Sequence, residues 1–321
     1  MQQTKNKDDS KFALIALKEA YVELPINPDV KQRLSDGTVV MAGMPVDIDT
    51  GWRELIGSIR HESLTKANFG LMYSESSSNP EILDRQHLEV EKKIEHLFHL
   101  LQLSGRCEYQ EGNLVVGSLY NGKSEIRRMS EISQFHITHG DRPLPISIDR
   151  LEAAVKAYSG LKNIELYDRS FKRIKRGLRA LMEGLQKYNG EDRLHEFVRS
   201  LEALILPDIG KTKRQFVHRC RTFVKPTKKL PLILEEAYEM RSMATHLNDW
   251  EKAMESYSPD LRERTALCRT LQVERLACFC YSRLLDDQDL RNHFINENEL
   301  EIFWKLQDHQ RSRIWGNQFS L

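Results

Sequence analysis

Gly140-Asp-Arg-Pro-Leu-Pro-Ile-Ser-Ile-Asp-Arg-Leu-Glu152 divides the chain into halves of different character. Two prolines and a glycine within six residues oppose regular structure, and Ser147 ahead of Ile148-Asp-Arg-Leu-Glu152 supplies the chemistry of a helix start. Upstream, residues 38–49, 67–73, 106–109, 113–119 and 132–137 read as short strands bounded by turn residues. Two helices are expected among them, over 10–24 and 80–103. In the second, Leu88, Val90, Ile94, Leu97, Phe98 and Leu101 recur at helical spacing. Downstream no strand is expected. Helical segments run over 148–160, 163–188, 191–206, 210–224, 231–247, 260–284 and 297–308, broken at Asn189-Gly190, at Leu206-Pro-Asp-Ile-Gly210 and at Pro226. The expectation is an α+β protein, with a mixed α/β domain of short strands over 1–145 and an all-α helical bundle over 146–321.

Composition agrees with a globular chain of this kind. The 321 residues are 40% hydrophobic and 30% charged, and no run of about 18 apolar residues exists to span a bilayer. The opening Met1-Gln-Gln-Thr-Lys-Asn-Lys-Asp-Asp-Ser10 has no apolar signal core, and the five cysteines are an odd number. The expectation is a reduced, cytoplasmic protein that does not enter membranes.

Net charge is +1, but its distribution is uneven: between Lys162 and Lys229 stand 18 Lys/Arg against 8 Asp/Glu. Arg169, Lys172, Arg173, Lys175, Arg176 and Arg179 form the densest part, and Arg219 and Arg221 follow. Such a segment attracts a polyanion such as nucleic acid, or it is a solvated helix face whose charges pair with neighbouring acids. It shows no aromatic interleaving, and Trp52, Trp250, Trp304 and Trp315 are too scattered to form a stacking platform.

Tyr238-Glu-Met-Arg-Ser-Met-Ala-Thr-His246 carries the strongest chemical signal. An arginine grips a phosphate through two hydrogen bonds, and a histidine moves a proton near neutral pH. Together, Arg241 and His246 cover two needs of metal-free RNA cleavage, namely proton transfer at the 2′-hydroxyl and stabilisation of the charge that builds on the phosphoryl oxygens. On a regular helix, five residues turn about 500°, so the two side chains point about 140° apart and stand about 7.5 Å apart along the axis. Fraying of the helix at Leu247-Asn-Asp249 would complete the site, or a second copy of the motif across a twofold axis. The competing structural reading has Arg241 capping carbonyls or pairing with Glu235, Glu236 or Glu239, with His246 a polar helix end.

The order Phe197-Val-Arg-Ser-Leu-Glu-Ala-Leu-Ile-Leu206, Phe216-Val-His-Arg-Cys-Arg-Thr-Phe223, then Leu234 to His246 resembles HEPN domains of the Apea-like branch over about residues 150–310. In that branch a Leu-Glu-x-Leu helix and an arginine-centred helix precede a Tyr-x-x-Arg-Ser-x-x-x-His helix, matched here at Tyr238, Arg241, Ser242 and His246. The resemblance implies an endoribonuclease needing no metal or other cofactor. Arg241 would hold the scissile phosphate, His246 would act in proton transfer, Ser242 would assist, and a 2′,3′-cyclic phosphate would be the product end. It also implies a homodimer with a composite cleft, a role as toxin or antiphage effector, and a possible regulatory partner protein. The alternative within the same resemblance is a non-catalytic module that binds nucleic acid or a protein.

Other constellations are weaker. His61-Glu-Ser63 and His136-Ile-Thr138 both fit the His-x-Ser/Thr pattern that marks two-histidine phosphoesterases when it lies on strands, and strand context is expected only for the second. His136, His139 and Asp141 could meet a metal but lack a clear fourth ligand. Cys278-Phe-Cys280 reads as two buried cysteines. No glycine-rich phosphate loop or Gly-x-Ser-x-Gly turn occurs.

Overall fold

The computed structural model describes residues 9–23, 31–138, 140–167 and 169–321. It is an α+β protein of two compact units: Met1–Gln134 with Pro143–Val155, and Phe135–Arg142 with Lys156–Leu321.

The first unit is built on one antiparallel sheet. Its strands are β1 (Ser10–Lys18), β2 (Gln32–Arg33), β3 (Val39–Met41), β4 (Ala67–Ser76), β5 (Glu111–Tyr120) and β6 (Lys123–Glu131), in the order β2-β3-β4-β1-β5-β6. Helices α1 (Thr50–Thr65) and α2 (Arg85–Leu103) pack against it. The segment expected as a helix over 10–24 is instead the central strand. Phe12 to Leu17 are all buried because β1 has β4 on one side and β5 on the other and is covered on both faces. A continuous apolar run of this kind fits a doubly covered strand as well as a helix, so periodicity alone does not separate them. Phe12, Leu14 and Ala16 join Val46, Leu64, Val115 and Ile126 in one core cluster, against which Trp52 and Ile56 of α1 pack.

Further differences arise at turns. Residues 106–109 and 132–137 are not strands, and of 38–49 only β3 pairs. The strand after β5 is β6, reached through Asn121-Gly122, whose φ values of 51° and 72° are the two left-handed positions of a tight hairpin turn. Pro143–Val155 is held by Arg150, which donates to the carbonyls of Leu101, Leu144, Pro145 and Gly105.

The second unit is helical. After α3 (Ile148–Leu166), which begins in the first unit, come α4 (Lys172–Gln186), α5 (Gly190–Ile205), α6 (Thr212–Cys220), α7 (Leu230–Thr245), α8 (Pro259–Asp286), α9 (Gln288–Asn292), α10 (Glu297–Lys305) and α11 (Asp308–Trp315). The helix expected over 163–188 is broken before Lys172. Buried Phe171 takes a left-handed backbone (φ 56°) and its N–H donates to the Ile295 carbonyl at 2.6 Å, a tertiary bond with no local sequence signal. Cys278 and Cys280 are buried on α8, as expected.

Two glycines let α4 approach its neighbours. A Cβ at Gly177 would collide with the Tyr281 hydroxyl and lie 2.6 Å from Ala203 Cβ, and one at Gly184 would lie 2.7 Å from the Phe197 ring. The Tyr281 hydroxyl donates to the Ser200 carbonyl at 2.9 Å inside the bundle. Gly177→Ala is therefore expected to destabilise this unit by about 2 kcal/mol despite the gain in helix propensity, because overpacking and a disturbed buried hydrogen bond outweigh it. Urea unfolding followed by helical circular dichroism checks this, and an unchanged midpoint would refute the packing argument.

Candidate functional site

The face of α7 that carries Tyr238, Arg241 and Thr245, at spacings of three and four, turns toward the face of α5 that carries His195, Arg199 and Glu202. Arg241 donates from Nη2 to Glu202 at 3.2 Å, its side chain 21% exposed, and its guanidinium lies 5.5 Å from the Tyr238 ring centroid. Its Nε is buried without a hydrogen-bond partner. Glu202 is thus the acid that meets Arg241. Glu236 is taken by Arg269 at 2.6 Å and Glu239 by Lys213, while Glu235 is exposed. Burial raises the Glu202 carboxyl pKa above its ordinary value, and the nearby charges of Arg241, Arg199 and Arg173 only partly offset this.

The helix that carries Arg241 ends one residue before His246, earlier than the fraying expected at Leu247-Asn-Asp249. Thr245 is the last residue of α7 and His246 is its exposed cap. Leu247 N–H bonds the Ala244 carbonyl at 3.1 Å and Asn248 N–H the Met243 carbonyl at 3.0 Å, the paired bonds of a Schellman ending. Leu247 occupies the left-handed position (φ 56°) where glycine is usual, and it is 96% exposed. Leu247→Gly removes that strain at the cost of a more flexible unfolded chain, for an expected net gain of about 0.5–1 kcal/mol. A lowered melting temperature would contradict it.

One participant lacked a sequence signal. His195 of α5 places Nδ1 3.2 Å from the Thr245 hydroxyl, which itself donates to the Arg241 carbonyl at 2.8 Å. Burial, then the charge of Arg241, lowers the His195 pKa below its usual range. His195 stands 46 positions before Arg241, and only the packing of α5 on α7 brings them to one place.

The basic residues fall into two groups. Arg169, Lys172, Arg176, Arg179 and Arg221 are exposed. Arg173 donates to the Ala203 and Glu202 carbonyls, both at 2.9 Å, Lys175 to Tyr167 O at 2.9 Å, and Arg219 to the Ile205 and Leu206 carbonyls at 2.6 Å. These last three tie helix ends together. On the exposed side of α6, Lys211, Lys213, Arg214, His218 and Arg221 line a concavity of about 520 Å³ with Glu235 as its one acid. Its Lys213 pairs with Glu239, two residues before Arg241 on α7, so the basic row begins beside the helix that carries Arg241.

The other sequence candidates disperse. His61 lies on α1 and His136 on irregular chain, so neither sits on a strand. Asp141 pairs with Arg275 and the His136 ring packs edge-on against Tyr188, while His139 lies outside the described residues. No helix among the described residues is long and apolar enough to cross a membrane. Comparison with family models, with curated proteins and with solved structures returned no match.

Proposed function

We propose that this chain is a metal-independent endoribonuclease of the HEPN type. The observation that carries the reading is Arg241: a partly buried guanidinium with an unpartnered Nε, on the last turn of a helix whose exposed cap is His246. The 2′-oxygen attacks the adjacent phosphorus, the bond to the 5′-oxygen breaks, and a 2′,3′-cyclic phosphate and a 5′-hydroxyl result. Arg241 holds the phosphoryl oxygens, Ser242 offers a further hydrogen bond, and His246 serves in proton transfer. The α6 row supplies positive charge for flanking phosphates of the RNA. Under this reading the enzyme works in the cytoplasm as a homodimer and a toxin or antiphage effector, with a regulatory partner or the first unit controlling it.

The Glu202–Arg241 pair favours a second reading, because a carboxylate at 3.2 Å already occupies the guanidinium. In that case the helical unit is a non-catalytic module that binds nucleic acid or a protein through the α6 row.

Cleavage of mixed single-stranded and structured RNA in excess chelator separates the two. Arg241→Ala is expected to lose about 10²–10³-fold in rate and His246→Ala about 10²–10⁴-fold. Equal cleavage by wild type and both variants sinks the assignment. Absent cleavage combined with RNA binding that is abolished by charge reversal at Lys211, Arg214 and Arg221 establishes the binding module.

A further inference from the structure

We propose that His195, and not His246, takes the proton from the attacking 2′-hydroxyl, with Thr245 as the positioning residue that holds it in the required tautomer. The inference rests on the nuclease reading above and assigns its two proton transfers to two different histidines.

One hydrogen-bond chain, from His195 through Thr245 to the Arg241 carbonyl, assigns the proton on the ring. A threonine hydroxyl has a single proton, and that of Thr245 is donated to the Arg241 carbonyl at 2.8 Å, the bond of a helical hydroxyl to the residue four before it. Toward His195, 3.2 Å away, the same oxygen has only lone pairs left. With the Thr245 proton on that carbonyl, His195 Nδ1 is the donor, and in the neutral ring the proton sits there. Nε2 is left with an open lone pair, the form a general base needs. The charged groups that reach the ring are Arg241 from α7 and Glu196, Arg199 and Asp192 on its own helix. Burial and the Arg241 charge together keep the ring neutral to lower pH than an ordinary histidine.

Placement on the helices agrees. Arg241 and Thr245 are four residues apart and share the face that meets α5, so His195 lies on the side of α7 toward which Arg241 points. His246 follows one residue later, beyond the helix end, at the exposed cap. The three groups thus surround the last turn of α7, with two separated positions for base and acid. In the proposed step, His195 Nε2 removes the 2′-hydroxyl proton as the 2′-oxygen bonds to phosphorus. The bond from phosphorus to the 5′-oxygen breaks, and His246 gives a proton to that oxygen. One proton enters and one leaves the protein, and no external reagent is needed.

The test is single-turnover RNA cleavage in chelator across pH 4.5–9 for wild type, His195→Ala, His195→Gln, Thr245→Val and Thr245→Ser, with RNA affinity measured in parallel. The wild-type rate is expected to rise with pH through an acidic limb below about 6.5, the ordinary histidine value. His195→Ala and His195→Gln lose about 10²–10⁴-fold and that limb, while RNA affinity is kept and added imidazole partly restores the alanine variant. Thr245→Val loses activity and Thr245→Ser retains it. Long-range nitrogen–proton correlation in wild type should show the His195 proton on Nδ1. Unchanged rates and superimposed profiles in the His195 variants, or a proton found on Nε2, overturn the role of His195 and leave the nuclease reading standing. No cleavage by wild type overturns both.

Discussion

Arg193→Ala lowers the stability of the helical unit by about 3–5 kcal/mol, the cost of leaving a buried charge without its partner. Arg193 of α5 and Glu274 of α8 are 4% and 1% exposed and meet at 2.8 Å. The same guanidinium donates to the Thr138 hydroxyl at 2.7 Å and to the His136 carbonyl at 2.9 Å. Truncation therefore strips one carboxylate and three neutral acceptors at once, the Lys187 carbonyl being the third, and it loosens the segment Phe135–Arg142, which keeps the His136 N–H bond to the Leu185 carbonyl and the Asp141–Arg275 pair. Urea unfolding measures the loss, and hydrogen exchange at His136 and Ile137 should accelerate with it. The double change Arg193→Met with Glu274→Leu is expected to recover much of the loss, because two desolvated charges leave together. A single-variant cost below about 1 kcal/mol would refute the claim that this pair organises the segment.

Acidification from pH 6.5 to 4 removes about 3 kcal/mol from the first unit through His99 alone. Burial, and secondarily the charge of His96, pushes the His99 ring down to about 4. The folded pKa is depressed below the unfolded value. Between the two, the unfolded chain binds a proton that the folded chain does not, so stability is full above pH 6.5 and falls until about pH 4. His87 on the same helix adds to the slope, since burial and then the charge of Lys11 lower it also. Histidine titration by NMR should find the His99 ring neutral at pH 5, and His99→Gln should flatten the stability profile. A ring that titrates near 6.5 removes the prediction.

Much of the helical half could be read from local spacing. The expected segments 191–206, 231–247 and 260–284 fall within two residues of α5, α7 and α8, because each buries a stripe that repeats every three to four residues. The sheet was harder to read. Ser10–Lys18 is apolar on both faces because it lies in the middle of the sheet, and a central strand has no alternation to display. The Asn121-Gly122 turn is a readable hairpin signal, and it places the next strand at Lys123–Glu131, ahead of the expected 132–137. At the candidate site, Arg241 and His246 are marked in the sequence by chemistry and spacing near one helix end, and Ser242 by the resemblance alone. His195, Glu202 and Thr245 are not, since nothing near them in sequence marks what they touch.

The sequence by itself determined the change from mixed to helical structure around Gly140–Pro145, the segments that form α5, α7 and α8, and the concentration of positive charge between Lys162 and Lys229. These are local properties, set by turn chemistry, side-chain periodicity and composition. Tertiary structure alone decided which cations stay in solvent and which tie helix ends together: Arg221 is exposed, whereas Arg219, two residues earlier, is held by the carbonyls that end α5. It also set Arg241 against Glu202 and His195 against Thr245, pairs 39 and 50 residues apart. Periodicity states which face of a helix is buried. Its partner is chosen by how whole helices pack, and at Gly177 and Gly184 that packing depends on side chains that are absent.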